Sequence, residues 1–419
     1  MSWLYNVVIY LAAPVAILVQ LWRGLRDPSY RGGLGERFGF GPPIAGPVIW
    51  VHAVSVGEVQ AAQPLVAQLR RRHPACRVLL TTVTPTGAAR ARLLFGDQVL
   101  LRYVPFDLPG AVRRFFDRVQ PRLAMILETE LWPNLYGECG RRSVPLVLAS
   151  ARVSPRSVGK YRRLMSLFRK TLSYGIVIAA QSEPDAERFR SIGAAPGRTH
   201  VTGNIKFDFQ PPVGIEALGR RWRDENLPGR PVWVAGSTHE GEEAIVLDAH
   251  RLVLKRFPDA LLILVPRHPQ RFEVVRNLLA KRDEAVAFRS SGNAPPRGTR
   301  VMLGDTMGEL MKFYAAADVA FVAGSLAPIG GHNLLEPVSV GLPVLTGPHN
   351  FNGEEIAGLL VDAGAALVVS DTRQLADAVV RLLGDPELRK VMGTAGKAVL
   401  DSNRGALDRL LTLVDPLLA

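Results

Sequence analysis

The sequence predicts an α/β protein with two doubly wound domains, and three observations lead to this fold class. Short apolar runs rich in β-branched residues alternate with helical patterns along two successive stretches of chain. At 419 residues the chain is too long for one ordinary core. Pro211 and Pro212 interrupt the pattern between the two stretches. With 47% hydrophobic and 21% charged residues, the composition excludes a disordered protein.

The first domain is organised around Val48 to Glu58. Val48–Val54 predicts a strand buried on both faces, and Ser55-Val56-Gly57 breaks it with a glycine turn. A helical spacing follows in Val59, Ala62, Leu65, Val66 and Leu69. Strand, turn and helix place Glu58 at the carboxyl edge of a parallel sheet, where open α/β folds bind ligands. The alternative is that Glu58 only complements the helix dipole.

Further strands are predicted in this domain at Arg77–Val83, Val99–Val104, Leu123–Leu127, Pro145–Ala149 and Ile176–Ala180. Helices are predicted at Gly87–Phe95, Ala111–Val119, Val158–Leu172 and Glu183–Ile192. The turn Glu128-Thr129-Glu130-Leu131-Trp132-Pro133-Asn134 directly follows one of these strands. Two carboxylates at a strand's carboxyl end are costly unless they are paired or used. The two carboxylates are therefore candidates for a functional site, with the alternative that Glu128 orients an arginine.

The second domain repeats the alternation, with strands predicted at Val232–Ala235, Leu261–Val265, Val301–Leu303, Val319–Ala323, Pro343–Leu345 and Ala366–Val369. Polar turns follow four of these strands: Gly236 to Glu243, Pro266 to Pro269, Asp305 to Glu309, and Gly324 to Pro337. Backbone amides at helix starts and a guanidinium at a strand end suit phosphate oxygens. Each turn is common by itself, but four at one sheet edge predict a nucleotide site.

The N-terminal run Trp3–Trp22 is apolar and predicts a membrane anchor. Arg23, Arg26 and Arg31 follow it, which places the rest of the chain on the cytoplasmic side. Pro14 and two amide side chains interrupt the run, so a helix lying in the membrane interface is the alternative to a spanning helix. The sequence leaves both arrangements open.

The net charge of +13 is concentrated in the first half of the chain. Residues 1–210 contain 28 Lys and Arg against 13 Asp and Glu, whereas the remainder contains 23 against 25. An anionic partner is indicated for the first half: phospholipid, a phosphorylated substrate or nucleic acid. No nucleic-acid-binding motif accompanies the charge, so nucleic acid is not predicted. Solvated helix faces are the alternative explanation.

The sequence contains only two cysteines, which are too few for a disulfide framework or a zinc site. This cysteine content is consistent with a reducing compartment.

The segment His52-Ala53-Val54-Ser55-Val56-Gly57-Glu58 resembles the signature of the 3-deoxy-D-manno-octulosonic acid (Kdo) transferases of lipopolysaccharide assembly. The Glu-x-Glu-x-Trp-Pro block after Leu127 and the segment Arg31–Arg37 are also similar to that family, and the resemblance covers essentially the whole chain. It implies the GT-B architecture: two Rossmann-like doubly wound domains facing a cleft, with an N-terminal membrane-anchor helix. It further implies that Glu58 is the catalytic base and that Glu128 takes part in function.

The resemblance also implies that the second domain binds the cytidine monophosphate (CMP) part of CMP-Kdo. The donor-binding residues carried over are Pro266, Arg267, Met307, Gly308, Glu309, Asn333, Leu334, Leu335 and Glu336. Additional candidates are Ser55, Gly57, Lys206, Ser237 and Thr238. The sequence contains no Asp-x-Asp pair, and a monophosphate leaving group has less charge to neutralise than a diphosphate. We therefore expect neither a metal nor a cofactor.

The predicted organisation is an anchor and basic segment at residues 1–30, an acceptor-binding domain at 31–208, a CMP-sugar-binding domain at 209–385, and helices at 386–419 that cross back to the first domain. The implied activity is inverting transfer of Kdo from CMP-Kdo to the lipid A precursor, lipid IVA. The expected location is the cytoplasmic side of the inner membrane of a Gram-negative bacterium, against an anionic membrane surface. The alternatives are a lipid-directed GT-B transferase that uses a UDP-sugar, or a non-catalytic basic protein that binds membrane or nucleic acid.

Overall fold

A computed structural model describes residues 2–128, 130–153, 158–159, 165–172, 175–282 and 284–418. The chain forms two compact units, Met1–Asp208 with Asn403–Ala419, and Phe209–Ser402. Each unit contains one seven-stranded sheet, and the strand pairs are parallel. The predicted fold class, two doubly wound α/β domains, is confirmed.

In the first unit the sheet order is β3-β2-β1-β4-β5-β6-β7. Its strands are β1 (Val48–His52), β2 (Arg77–Thr82), β3 (Leu100–Tyr103), β4 (Pro121–Leu127), β5 (Leu146–Ala151), β6 (Val177–Ala180) and β7 (Thr199–Val201). Its helices before the second unit are α1 (Ser2–Arg26), α2 (Leu34–Arg37), α3 (Val56–Arg72), α4 (Pro85–Phe95), α5 (Pro109–Val119), α6 (Pro133–Arg141), α7 (Met165–Leu172) and α8 (Glu183–Ser191). The strand order reverses between β1 and β4, and this switch point opens a crevice at the carboxyl edge.

In the second unit the sheet order is β10-β11-β9-β8-β12-β13-β14. Its strands are β8 (Val232–Thr238), β9 (Leu261–Pro266), β10 (Val286–Phe288), β11 (Val301–Leu303), β12 (Val319–Val322), β13 (Val344–Thr346) and β14 (Ala366–Val368). Its helices are α9 (Ile215–Asn226), α10 (Glu242–Leu254), α11 (Phe272–Lys281), α12 (Leu310–Ala316), α13 (Leu335–Ser339), α14 (Glu354–Asp362), α15 (Thr372–Gly384) and α16 (Pro386–Ser402). The corresponding switch point lies between β8 and β12.

The core of the first unit lies on both faces of its sheet. All five residues of β1 are buried, and alternate side chains enter opposite clusters. On one face the Trp50 ring packs 4.9 Å from Phe115 and 5.9 Å from Phe116, centroid to centroid. Ile49 and Val51 enter the cluster on the other face. The apolar run read from the sequence is therefore a central strand.

Five elements of the structure were not predicted from the sequence: β7, β10, α2, α6 and α9. The two strands have only three residues each, and α2 has only four. Helix α6 is rich in polar residues and glycine, and α9 is mostly charged or polar. Of the helix predicted at Val158–Leu172, the structure describes residues 158–159 and 165–172, and the others lie outside the described residues.

The last helix, α17 (Ala406–Leu418), belongs to the first unit, whereas α16 belongs to the second. The chain therefore returns at Asn403, later than the segment 386–419 that was predicted to cross back. The reason lies in α17 itself, whose Leu410, Leu411 and Val414 are buried in the core of the first unit. Its start is held by Asp208, whose carboxylate accepts hydrogen bonds from the backbone N–H of Gly405 at 2.7 Å and of Leu407 at 2.6 Å.

We expect Asp208→Ala to loosen α17 selectively. Two backbone N–H groups at the helix start would lose their acceptor, which costs about 0.5–2 kcal/mol in comparable helix caps. Hydrogen–deuterium exchange should become faster in residues 406–418 and stay unchanged in α3. Asp97→Ala, at an exposed position near α4, is the control and should leave exchange in α17 at the parental rate. Unchanged exchange in the Asp208 variant would show that packing alone fixes this helix.

Candidate active site

Glu58 lies in the first turn of α3, directly after the central strand β1. Ser55 is the N-cap of this helix, and its Oγ accepts a hydrogen bond from the Glu58 N–H at 3.3 Å. The Glu58 carboxylate in turn accepts from the Val54 N–H at 2.8 Å and from the Ser55 hydroxyl at 3.0 Å. This reciprocal arrangement is a variant of the capping box, in which the glutamate binds the N–H of the residue before the N-cap and the N-cap hydroxyl. Glu58 therefore does stabilise the helix start, as the helix-dipole alternative requires.

The pKa of Glu58 separates a purely structural role from a chemical one. Burial, followed by the charge of Glu128, raises the pKa of this carboxyl from 4.5 to about 7, although the hydrogen bonds from Val54 and Ser55 act to lower it. The charge of Glu130 makes a smaller contribution that also raises this pKa. Capping by itself would stabilise the ionised form and lower the pKa. A carboxylate whose pKa lies near neutrality is a suitable general base.

Gly57 has a different role from the one predicted. It is the second residue of α3 rather than a residue of a tight turn, and an added Cβ would meet only the Ser55 Oγ, at 3.8 Å. Backbone conformation therefore does not require glycine here. Its small size leaves the helix start open beside Glu58.

Glu128 lies at the carboxyl end of β4, the strand next to β1, and is held in an unusual conformation. Its φ is 58°, in the left-handed region that a side chain of this size rarely adopts. Its Oε1 forms an ion pair with Lys206 Nζ at 2.7 Å. The alternative prediction, that Glu128 orients an arginine, is therefore wrong, because its partner is a lysine. That lysine, Lys206, is one of the additional site candidates from the sequence.

Lys206 is placed by a buried polar network that the sequence analysis missed. Asn204 Oδ1 accepts from the Lys206 N–H at 3.0 Å, and Asn204 Nδ2 donates to Gln181 Oε1 at 3.3 Å. Gln181 Nε2 donates to the Ser150 carbonyl at 2.9 Å, and Ser150 has a φ of 53°. Ser150 lies at the carboxyl end of β5, and Gln181 and Asn204 follow β6 and β7 at the same sheet edge. Polar residues immediately after buried strands were the signal that could have found them.

Glu130 adds a third carboxylate to this edge. Trp132 Nε1 donates to Glu130 Oε2 at 2.7 Å, and burial raises the pKa of Glu130, aided by the charge of Glu128. Thr129, between the two glutamates, lies outside the described residues. The first unit thus presents three carboxylates and one ammonium group, a set that can accept a proton and orient a hydroxyl nucleophile.

In the second unit, Arg267 follows β9, whose last residue Pro266 is buried. Its backbone N–H donates to the Thr238 carbonyl at 3.0 Å. The guanidinium is half-buried and makes no hydrogen bond or ion pair with another described residue. A cation in this state is available for an anionic ligand. Burial, followed by the charge of Arg267, lowers the pKa of His332 to about 3.

Glu242 is the residue of this unit that the sequence analysis missed most clearly. It begins α10, is completely buried, and accepts hydrogen bonds from the N–H groups of four consecutive residues. These are Gly324 at 2.8 Å, Ser325 at 3.0 Å, Leu326 at 3.0 Å and Ala327 at 3.2 Å. The His239 N–H donates to the same carboxylate at 3.0 Å. Because Glu242 occupies the amides of Gly324 to Ala327, these amides are not available to a nucleotide.

The two additional candidates after β8 have different environments. Ser237 is half-buried with a φ of 59°, where the pairing of β8 with β9 is irregular. Thr238 is completely buried, so its side chain does not reach the surface of the site. His239 Nε2 lies 2.8 Å from His332 Nε2, which ties this turn to the glycine loop after β12.

Hydrogen bonds from charged and polar side chains to the Glu309 carboxylate hold the turn Met307–Glu309 in place. Arg289 donates to Glu309 at 3.0 Å, and Lys312 and Thr306 also donate to this carboxylate. Burial works against ionisation, but these hydrogen bonds outweigh it and lower the pKa of Glu309 to about 2. Gly308 has a φ of 83°, and Met307 is exposed. The Glu309 side chain therefore fixes the turn, and the backbone of the turn remains for a ligand.

The block Asn333–Glu336 divides into anchoring and polar residues. Leu334 and Leu335 are buried, whereas Asn333 and Glu336 are half-buried. Asn333 Oδ1 accepts from the Leu335 N–H at 3.1 Å, and Asn333 Nδ2 donates to Glu336 Oε1 at 3.3 Å.

In the parts of the chain that the structure describes, no group of three or more His, Cys, Asp or Glu residues could hold a metal ion.

Solved structures share this architecture. Anabaena Alr3699/HepE in complex with UDP has a TM-score of 0.56 at 16% identity, covering 88% of this chain and 99% of that one. The UDP-GlcNAc 2-epimerase of Neisseria meningitidis has a TM-score of 0.57 at 15% identity, covering 87% and 100%. The C-terminal CMP-Kdo binding domain of WaaA from Acinetobacter baumannii is 34% identical, covering 45% of this chain and 98% of that one, with a TM-score of 0.43. The first two likenesses show the GT-B fold.

A family model described as Glycosyl transferases group 1 matches residues 230–399, and the protein is a glycosyltransferase of the GT-B class. The model described as 3-Deoxy-D-manno-octulosonic-acid transferase (kdotransferase) matches residues 32–209. The enzyme of that name from Haemophilus influenzae is 42% identical over 99% of this chain and 98% of its own length. The one from Bordetella pertussis is 40% identical over 96% of both chains. The chain belongs to the Kdo transferase family.

We expect Glu242→Gln to destabilise the second unit. Glutamine is neutral and offers one acceptor oxygen, so at least two of the five backbone N–H groups would lose their acceptor, at a cost of about 1.5–3 kcal/mol each. Guanidinium unfolding, followed by the fluorescence of the buried Trp233, measures the loss. Glu240→Gln, at a side chain that is 92% exposed, is the matched control and should stay within about 0.5 kcal/mol of the parent. Equal midpoints for both variants would contradict this role.

Proposed function

We propose that the protein is an inverting transferase that moves Kdo from CMP-Kdo to lipid IVA, the lipid A precursor of lipopolysaccharide. Membership of the Kdo transferase family supports the transferred sugar. The observation that carries the mechanism is the buried Glu58, whose pKa is raised to about 7 at the carboxyl edge of the first sheet. The acceptor and the stereochemistry extend this reasoning through the chemistry of the residues.

In the proposed reaction, Glu58 accepts the proton of an acceptor hydroxyl as that oxygen attacks the anomeric carbon of Kdo. The bond from that carbon to the CMP phosphate breaks, and CMP leaves from the opposite face, which inverts the configuration. The Ser55 hydroxyl and the Val54 N–H hold the Glu58 carboxylate in place. The charge of Glu128, which Lys206 holds at the adjacent strand end, raises the pKa of Glu58 and so supports its basicity.

The second unit would bind the donor. We assign the phosphate to Arg267, whose guanidinium is unpaired among the described residues. The exposed backbone of Met307 and Gly308, and the polar groups of Asn333 and Glu336, would contact the nucleoside. Arg267 can stabilise the charge that develops on a departing monophosphate, so transfer without a metal or another cofactor is part of the proposal.

The location also belongs to the proposal. Among the residues that the structure describes, one helix, Trp3–Arg26, is long and apolar enough to cross a membrane. The basic excess of the first half suits an anionic membrane surface and an acceptor that carries phosphate. We therefore place the protein at the cytoplasmic face of the inner membrane of a Gram-negative bacterium, with the acceptor and the membrane as its partners.

For Arg267→Ala we expect CMP affinity to fall about ten- to a hundredfold, because a charge-assisted hydrogen bond contributes about 1.5–3 kcal/mol. Isothermal titration calorimetry with CMP measures this directly. Arg297→Ala, at an exposed position, is the matched control and should bind CMP as the parent does. An unchanged affinity in the Arg267 variant would remove this residue from the donor site.

Glu58→Gln tests the proposed base. Glutamine keeps the size and one acceptor but cannot take a proton, so turnover with CMP-Kdo and lipid IVA should fall about 10²–10⁴-fold. CMP affinity should stay at the parental value. Glu36→Gln is a control at a carboxylate that accepts a hydrogen bond from the Tyr103 N–H, outside the site. Mass spectrometry of the lipid product gives the rate. A parental rate in the Glu58 variant would exclude Glu58 as the base.

The same pair of proteins predicts two pH dependences. Parental kcat/KM should rise with pH through about 7, where Glu58 loses its proton, and this rise should be absent in Glu58→Gln.

The second dependence is that of stability. Because the pKa of Glu58 in the folded state is raised above 4.5, the unfolded state binds fewer protons than the folded state between pH 4.5 and about 7. The free energy of unfolding of the parent, relative to the variant, should therefore fall from pH 4.5 through about 7. A relative stability that rises over this window would contradict the raised pKa.

A further inference from the structure

Helix α1 has the length and composition of a membrane span, but its contacts point to another arrangement. Its 25 residues extend about 37 Å at 1.5 Å per residue, and most of them are apolar. Length and hydropathy do not distinguish a helix that crosses the bilayer from one that lies in its surface. The positions of the two helix ends do.

The N-terminal end of α1 is bound to the folded first unit. Tyr5 Oη donates a hydrogen bond to Asp107 Oδ2 at 2.7 Å. Asp107 is 1% exposed, and its carboxylate also accepts from the N–H groups of Asn134 at 3.0 Å and Leu135 at 2.8 Å, which open α6. Tyr5 also lines a cavity of about 370 Å³ together with residues of α5, α6 and α7. The first turns of α1 therefore lie against the core-anchored helices of this unit.

The C-terminal end of α1 is held by the segment that leads into the same unit. Gln20 Nε2 donates to the Tyr30 carbonyl at 3.1 Å, and Arg31 Nε donates to the Gly24 carbonyl at 2.6 Å. The chain then continues through α2 to β1. Both ends of α1 are thus fixed on one compact unit.

Burial along α1 is one-sided. The covered residues are Tyr5, Asn6, Ile9, Ala13, Ile17, Gln20 and Gly24. At about 100° per residue they occupy about 120° of the helix circumference. The two amide side chains of the helix, Asn6 and Gln20, are both on this covered stripe. The exposed large apolar side chains on the remaining circumference are Trp3, Leu4, Val7, Val8, Tyr10, Leu11, Val15, Leu18, Val19, Leu21, Trp22 and Leu25.

We infer that α1 does not cross the bilayer but lies along one leaflet, with its covered stripe on the first unit and its exposed apolar surface in the lipid. In a crossing helix, Tyr5 would lie across a hydrocarbon core of about 30 Å from the unit that holds Asp107. The basic residues at the helix end suit the anionic headgroups of the same leaflet, and the Arg26 guanidinium lies 4.0 Å from the Trp22 ring centroid. This inference rests on the membrane location proposed above.

Single-cysteine labelling tests the side on which the N-terminus lies. Ser2→Cys is placed in a Cys76→Ser background, with the buried Cys139 retained. A membrane-impermeant maleimide is applied to intact and to lysed spheroplasts. Leu93→Cys, 72% exposed on α4, is the matched cytoplasmic control. Both variants should react only after lysis.

Labelling of Ser2→Cys in intact spheroplasts would overturn the inference and leave the membrane location standing. Recovery of the protein in the soluble fraction would overturn both. Neither result bears on the Kdo transfer assay, so the failure of this inference and the failure of the proposed activity are distinguishable.

Vesicle binding tests which face of α1 meets lipid. Leu18→Asn changes an exposed residue, and Ile17→Asn changes its neighbour on the covered stripe. Only Leu18→Asn should lower the partition coefficient to phosphatidylethanolamine–phosphatidylglycerol vesicles, by about tenfold or more, because only Leu18 transfers apolar surface into lipid. An unchanged far-UV circular dichroism spectrum and melting temperature show that each variant is folded. Equal losses of vesicle binding in the two folded variants would mean that lipid surrounds the helix and would overturn the inference.

Discussion

The central strands β1 and β8 are both covered on their two faces, and this constraint determines where chemistry can occur. Every residue of β1 is buried, and six of the seven residues of β8 are as well. A strand enclosed in this way can present polar groups only where it ends. Each unit accordingly has its candidate residues in the turns at the carboxyl edge of its parallel sheet, beside the switch points between β1 and β4 and between β8 and β12.

Two glutamates in the first turn of equivalent helices illustrate how the number of donors sets the role of a carboxylate. Glu242 at the start of α10 accepts from five backbone N–H groups, so its lone pairs are occupied and it organises the loop after β12. Glu58 near the start of α3 accepts from one backbone N–H and one hydroxyl. Burial then raises its pKa to about 7 and leaves it with basic character.

The backbone at these strand ends is unusual as well. Glu128, Ser150 and Ser237 have φ values of 58°, 53° and 59°, and they lie at the ends of β4, β5 and β8. Left-handed conformations in residues other than glycine persist where surrounding contacts fix them, which is common at functional sites. Here the contacts include the Lys206 ion pair of Glu128 and the hydrogen bond from Gln181 to the Ser150 carbonyl. These left-handed conformations change the direction of the chain where polar residues end the buried strands.

The sequence by itself determined the two doubly wound domains, the apolar helix at the N-terminus and the position of Glu58, because alternation of apolar runs, helical spacing and a capping turn are local patterns. Tertiary structure decided which groups meet. The pairing of Glu128 with Lys206, the closure of Glu242 on the amides of Gly324 to Ala327, and the bond from Tyr5 to Asp107 join residues about 80 to 100 positions apart. A hydrogen bond or ion pair needs its two groups within about 3 Å, and only the folded chain sets such distances between segments that are remote in sequence.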